Sequence, residues 1–208
     1  MKFVAISDTH GRHSRLKLPK GDVLLHAGDI SFKGRKSEVI DFLQWFSALP
    51  FRHKIFIAGN HDFYFEKESP AEVQKLIPEN VVYLNDREVE VEGIRIWGSP
   101  ITPWFHNWAF NRKRGAQIRM HWSKIPAKTD IIMTHGPVYG VLDQTKDETH
   151  TGCVDLLQTV ETVKPKIHLC GHIHEGYGNV KRKGVTFINA SMVNEAYELL
   201  NAPIVFTL

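Results

Sequence analysis

The stretch KIFIAGNHD, Lys54 to Asp62, decides how the chain is read. Four apolar residues of β type, Ile55, Phe56, Ile57 and Ala58, run into a glycine, and Asn60, His61 and Asp62 follow at once. A buried strand that delivers polar side chains at its C-terminal end is how open α/β sheets build active sites. Gly59 is expected to let the backbone turn there without a Cβ clash. The three residues after it offer an amide oxygen, an imidazole and a carboxylate, all suited to metal ions or protons.

The same arrangement recurs along the chain. Phe3–Ile6 leads to Asp8 and His10, Val23–Ala27 to Asp29, Ile131–Thr134 to His135, and Ile167–Cys170 to His172 and His174. Any one of these endings is ordinary turn chemistry. Five of them ask for a shared site. Asp8 with His10, and His172 with His174, are two residues apart, and on an extended backbone such pairs share a side. No cysteine joins the set, so a closed structural zinc site is not expected. Carboxylate, imidazole and amide oxygen together suit Mn²⁺, Fe, Zn²⁺, Co²⁺ or Ni²⁺. The set is too large for one ion with an open position and fits two divalent ions sharing a carboxylate. Such pairs lie roughly 3.5–4 Å apart, activate a bridging water and neutralise a phosphoryl oxygen.

The remaining sequence frames this set. At 208 residues the expectation is one domain over 1–208 with a substantial core. A net charge of +3 suits a small anionic substrate and is no strong sign of nucleic-acid binding. The two cysteines suggest no disulfide framework, and Cys170 reads as a small buried hydrophobe. No apolar run approaches the roughly 20 residues that span a bilayer, so no membrane association and a cytoplasmic location are expected. Helices are expected from Ser37, as cap, to about Leu49, over Glu66–Ile77, over Ala116–Ile125 with Met120 and Trp122 in the core, and over Cys153–Val163. Hairpins are expected around Glu92-Gly93 and Lys183-Gly184. The segment Pro100–Arg114 crowds aromatic residues against a basic cluster. It reads either as a loop packed under its own rings or as a pocket wall, with Trp104, His106 and Trp108 beside substrate and Arg112, in the run Arg112–Arg114, attracting phosphate.

Taken in order, SDTH (7–10), GD (28–29), GNHD (59–62), HG (135–136) and GHIH (171–174) make the chain resemble the calcineurin-like metallophosphoesterase family. Within it, PWFHNWAFN (103–111), THGP (134–137), GHIHEGYG (171–178), INAS (188–191) and PIVF (203–206) are similar to the class III phosphodiesterases of the metallophosphoesterase-domain-containing type. The resemblance implies an α/β fold, a four-layer α/β/β/α double β-sandwich. It implies that Asp8, His10 and His174 hold one ion, that Asn60, His135 and His172 hold the other, and that Asp29 bridges. His61 would be catalytic, stabilising the transition state and protonating the leaving oxygen. Asp62 matches an acidic position whose expected role is to orient neighbours by hydrogen bonds.

The implied reaction is hydrolysis of a small phosphodiester, such as a cyclic nucleotide, with Mn²⁺ as the first expected metal. The GDxVDRG continuation of the family's protein phosphatases is absent, since Ile30-Ser31-Phe32-Lys33-Gly34 follows Asp29. The alternatives are a nuclease or RNA-processing phosphodiesterase, and a non-catalytic scaffold with the same fold. A serine hydrolase lacks its GxSxG elbow. A homodimer is expected only by analogy with relatives, and no segment here argues for one.

Overall fold

The computed structural model describes residues 1–208. In chain order it contains β1 (Lys2–Ile6), β2 (Val23–Ala27), α1 (Lys36–Ala48), β3 (His53–Ile57), α2 (Phe63–Lys67), α3 (Pro70–Leu76), β4 (Val82–Tyr83), β5 (Arg87–Val91), β6 (Ile94–Ser99), β7 (Thr102–Pro103) and β8 (Asn111–Arg112). Then come α4 (Ala116–Trp122), β9 (Ile131–Thr134), α5 (Val154–Val163), β10 (Ile167–Cys170), β11 (Gly178–Arg182), β12 (Val185–Asn189) and β13 (Ile204–Thr207). One sheet has the order β13-β1-β2-β3-β4 and a second the order β11-β12-β10-β9-β6-β5. Strands β1 to β4 are mutually parallel, as are β6, β9, β10 and β12. The two expected hairpins, β5–β6 and β11–β12, add the antiparallel edges of the second sheet.

Period-two alternation decides how the sheets are stacked. Phe3, Ala5, Leu25, Ile55 and Ile57 share one buried cluster with Ile96, Ile131, Met133, Leu169 and Ile188, so this face of each sheet packs on the other. The alternate residues Val4, Ile6, Leu24 and Phe56 belong to a different cluster with Val39, Phe42, Leu43 and Phe46 of α1. The Phe42 and Phe56 rings lie 5.6 Å apart. On the far side Trp97 meets Trp122 of α4 at 6.3 Å, edge to face, with Leu156 and Val160 of α5 in the same cluster. The result is the expected helix–sheet–sheet–helix sandwich.

Three local expectations are corrected. The helix expected over Glu66–Ile77 is two, α2 and α3, because Pro70 holds Ser69 extended (φ −65°, ψ 150°), where Ser69 Oγ caps α3 by accepting from Glu72 N–H. Helix α1 begins one residue before Ser37. Its entry is organised by the Glu38 carboxylate, which accepts from the backbone N–H groups of Phe32, Lys33 and Arg35. Trp122 is in the core as expected, whereas Met120 is 62% exposed on the outer face of the short α4.

The two sheets meet where the site lies. Ser7, just past β1, bridges in parallel to Ser191, just past β12. The carboxyl ends of both parallel sets therefore open onto one rim.

Candidate metal centre

The loops after β1, β2, β3, β9 and β10 bring the expected residues together at that rim. Three groups have ligand atoms within 4.8 Å of one another: Asp8, His10 and His174; His10, Asp29 and His61; Asp29, His135 and His172. Asp29 Oδ2 lies 3.7 Å from His10 Nε2 and 3.3 Å from His135 Nε2. Two ligands of one ion with bonds of about 2.1 Å stand roughly 3.0–3.4 Å apart, a range that the Asp29–His135 separation meets and the Asp29–His10 separation slightly exceeds. The other oxygen of Asp29 accepts from His61 N–H at 2.8 Å, which turns Oδ2 toward both imidazoles. Asn60 Oδ1 stands 2.9 Å from His135 Nε2, and His174 Nε2 is 3.7 Å from Asp8 Oδ1.

How the pairs come to share the site differs from the extended-strand reading. Asp8, His10, Asp29 and His172 all have left-handed backbone, with φ of 53°, 43°, 54° and 69°. Their side chains meet through tight turns, not strand alternation. His172 and His174 are split between two groups, since His174 opens a short 3₁₀ turn. Left-handed backbone at a non-glycine residue costs on the order of 1–3 kcal/mol and persists where its surroundings over-determine it. Here those surroundings are hydrogen bonds. His10 N–H donates to Asp29 C=O (3.0 Å), Asp8 N–H to Gly28 C=O (2.9 Å), and His172 N–H to the Asp8 carboxylate (3.0 Å).

Gly59 does not take a positive φ, so its need is close approach rather than turning. A Cβ there would strike Asp29 Oδ1 and His135 Cε1. Gly171 is similar, since a Cβ would strike Asp8 Oδ2 and Ser7 Oγ.

The imidazoles are oriented by backbone carbonyls. Nδ1 of His135 faces Ala27 C=O (2.9 Å), Nδ1 of His174 faces Asn194 C=O (3.1 Å), and Nδ1 of His61 faces Phe32 C=O (2.7 Å). A carbonyl only accepts, so each Nδ1 carries hydrogen and each Nε2 is free to act. His10 has neither ring nitrogen bonded, although both are buried. Beneath the ligands Asn189 Nδ2 donates to the carbonyls of Ile173 (2.8 Å) and Gly171 (3.3 Å), fixing the loop that carries His172. Asp62 Oδ atoms accept from Gly59 N–H (2.8 Å), Ile30 N–H (3.1 Å), Ser31 N–H (2.9 Å) and Ser31 Oγ (2.5 Å).

Electrostatics follow from burial without solvent counter-ions. Burial pushes His10 down to about 4 and His172 to about 3. Burial also opposes a charged His135, but the neighbouring Asp29 outweighs it and lifts His135 to about 9. Burial would raise Asp29, but His135, His61 and His10 together outweigh it and hold Asp29 well below the usual carboxylate range. Burial, reinforced by the Asp29 charge, lifts Asp62 to about 6.

A cavity of about 600 Å³ opens above the centre, and Asp29, Asn60, His61, His172 and His174 form its floor. Trp104, Phe105 and Trp108 line one wall, and the Trp108 ring lies 4.4 Å from His61 at 30°. The expected residues His106 and Arg112 do not line it. His106 is exposed with φ 45°, and Arg112 Nη1 is drawn 3.2 Å from Glu66 Oε1. Arg114 lines the cavity instead. Two neighbours were not legible in sequence. Tyr197 packs edge-on at 4.9 Å from His10 and 5.3 Å from His174, and Phe32 sits 5.7 Å from His61. A lone tyrosine in NEAYELL and a lone phenylalanine in ISFKG carry no signal. The histidines outside the motifs have ordinary places. His13 Nε2 is 3.2 Å from Asp41 Oδ2, beneath Trp45, and His26 Nε2 is 3.0 Å from Thr9 Oγ1.

Nitrogen-rich clusters sharing one carboxylate at the joined rims of a double β-sandwich are the layout of a metal-dependent hydrolase. The sequence model for calcineurin-like phosphoesterases matches residues 1–176, and the chain belongs to that family. It is 44% identical over 230 residues to metallophosphoesterase domain-containing protein 1 of Homo sapiens, covering 100% of this chain and 71% of that protein. It is 38% identical over 218 residues to the UPF0046 protein K07C11.7 of Caenorhabditis elegans, covering 99% and 74%. Among solved structures it is similar to TT1561 of Thermus thermophilus, with TM-score 0.62, 14% identity and coverage of 90% and 88%. It is also similar to the phosphopantetheinyl hydrolase of Mycobacterium tuberculosis, with TM-score 0.60, 15% identity and coverage of 94% and 90%. At such identities these two structures speak to the fold alone. Family membership makes the chain a metal-dependent phosphoesterase.

Proposed function

We propose that this chain hydrolyses small phosphodiesters, cyclic nucleotides among them. Asp8, His10 and His174 hold one divalent ion, Asn60, His135 and His172 hold a second, and both share Asp29. The fit to ions rests on the chain's own groups. His10 buries two nitrogens without partners, the Nδ1–H of His135 and His174 are committed to carbonyls, and Asp8 and Asp29 form no ion pair with lysine or arginine. When bound, the ions supply the Lewis acidity that activates water and offsets charge on a phosphoryl oxygen, and Mn²⁺ is the first choice.

The observation that carries the diester reading is the cavity's lining. It offers three aromatic side chains, Trp104, Phe105 and Trp108, to the ester arms, and Arg114 is its one lysine or arginine. At the centre itself, where no lysine or arginine lies beside Asp29, a scissile group with one charge and an organic arm on each side is a better match than a dianionic monoester. The same scarcity of cations argues against a nuclease, which needs a basic track for the backbone. His61 donates its Nδ1 hydrogen to Phe32 C=O, which leaves Nε2 as the ring atom that would pass a proton to the leaving oxygen. Trp108, against the His61 ring, excludes water from that transfer.

The test is hydrolysis of bis-p-nitrophenyl phosphate beside p-nitrophenyl phosphate by chelator-treated protein, with Mn²⁺ restored. Diester turnover that requires metal and exceeds monoester turnover is the expected result, with His61→Ala about 10²-fold slower at unchanged metal content. Faster monoester turnover overturns the diester reading, and undiminished turnover by His61→Ala overturns the proton assignment.

A further inference from the structure

Few lysine, arginine or carboxylate side chains line the cavity above the centre. On the side next to His174, Glu175 and Glu195 line it. The only lysine or arginine in the lining is Arg114, and its guanidinium is built into the wall. Nη1 donates to Gly152 C=O and Nη2 to Thr151 C=O, each at 2.8 Å. The loop that supplies those carbonyls is itself pinned. Fully buried Asp143 accepts from Gly152 N–H (2.9 Å), Gly140 N–H (2.9 Å) and His150 Nδ1 (2.7 Å). Cys153 N–H then ties the end of the loop to Pro137 C=O at 3.0 Å, two residues past His135. Arg114 is therefore held on the His135–His172 side of the centre.

A guanidinium has five N–H donors in a fixed fork, and two carbonyl bonds leave three of them available. Holding the fork in advance removes much of the side-chain ordering that an anion would otherwise impose. We infer that Arg114 anchors a second anion subsite, which takes a phosphate group carried on the non-scissile part of the substrate. This rests on the phosphodiesterase reading above and adds to it a substrate class and an orientation. The arm that carries the extra phosphate lies across the Asp29–His135–His172 side, and the other arm lies away from it. Arg112, held by Glu66, has no part in it.

The test is equilibrium binding, followed by tryptophan fluorescence in Mn²⁺-loaded protein, of adenosine 5′-monophosphate and adenosine 3′,5′-bisphosphate. Both are phosphomonoesters, so phosphate release is measured alongside, and affinities are read under conditions where none is released. The expected result is about tenfold tighter binding of the bisphosphate, one charge-assisted contact's worth. Arg114→Gln brings the ratio of the two affinities to near one, Arg114→Lys restores part of it, and Arg112→Gln leaves it as in the wild type. A wild-type ratio near one, or a ratio that survives in Arg114→Gln with an unchanged melting temperature, overturns the subsite. Turnover of bis-p-nitrophenyl phosphate by the same preparation is read separately. Its absence counts against the diesterase reading and leaves the binding ratio to decide on Arg114.

Discussion

The core between the sheets and the rim where their carboxyl ends meet are equally dry and are built on opposite terms. In the core, Phe3, Ala5, Ile55, Ile57, Ile131 and Met133 bury apolar surface on regular strands. At the rim, Asp8, His10, Asp29 and His135 are also out of water. Three of those four have left-handed backbone, and His10 leaves two nitrogens without partners. Each buried unsatisfied polar group costs about 1–3 kcal/mol. The rim is thus a net cost that the core sustains, and the cost is offset when ions occupy the ligands. A change in the core should alter stability whether or not metal is present. A change at the rim should alter what metal does.

The sharpest way to break that contrast is Asp29→Asn, which removes charge from the oxygen between His10 and His135. Turnover of bis-p-nitrophenyl phosphate is expected to fall roughly 10³-fold, as when a major stabiliser of transition-state charge is lost. Two ions still bound per chain with unaltered affinity would end the shared-carboxylate assignment. In the core, Ile57→Ala should cost about 2–5 kcal/mol by urea denaturation, equally in chelated and Mn²⁺-loaded protein. A cost confined to one of the two forms would mean that core and rim are not separable.

His10→Phe sharpens the comparison from the other side. Chelated protein should gain about 1–2 kcal/mol, because two unpartnered nitrogens leave the interior, while the metal-induced rise in Tm shrinks. Loss of stability in chelated protein would show that the His10 nitrogens are satisfied in solution. An effect confined to acid pH is expected at His168, a core histidine beside Thr134 and Phe187 that burial pushes down to about 3. Its folded pKa lies below the unfolded value of about 6.5, so the unfolded chain takes up the proton first. The neutral ring's contribution is intact above about pH 6.5 and is lost as pH falls toward 3, by up to about 1.4 kcal/mol per pH unit. His168→Gln should flatten the acid side of a Tm–pH curve by up to that slope, and an unchanged curve would place the acid sensitivity elsewhere.

This contrast also marks what could be read from the chain alone. Strand endings are local, so the residues clustered at the rim were legible from runs such as Phe3–Ile6 and Ile55–Ala58, while the sandwich itself was implied by the family resemblance. The geometry that gathers those residues was not. Extended spacing placed His172 and His174 together, whereas the left-handed turn at His172 sends them to different groups. Long-range pairing was hidden as well. In the run Arg112–Arg114, nothing local says that Glu66, 46 residues before Arg112, claims that side chain and leaves Arg114 to the cavity. Tyr197 reaches His10 only through the fold of the segment between β12 and β13.

Asp62 has a consequence for anyone moving this centre elsewhere. Its carboxylate gathers donors from Ile30 and Ser31 after β2 and from Gly59 after β3. Those two loops carry Asp29 on one side and Asn60 and His61 on the other. The spacing between the shared carboxylate and its partners is thus written in a residue that reaches neither ion nor substrate. A graft that copies only the seven proposed ligands and His61 onto another sandwich would carry over the instruments without the jig that aligns them.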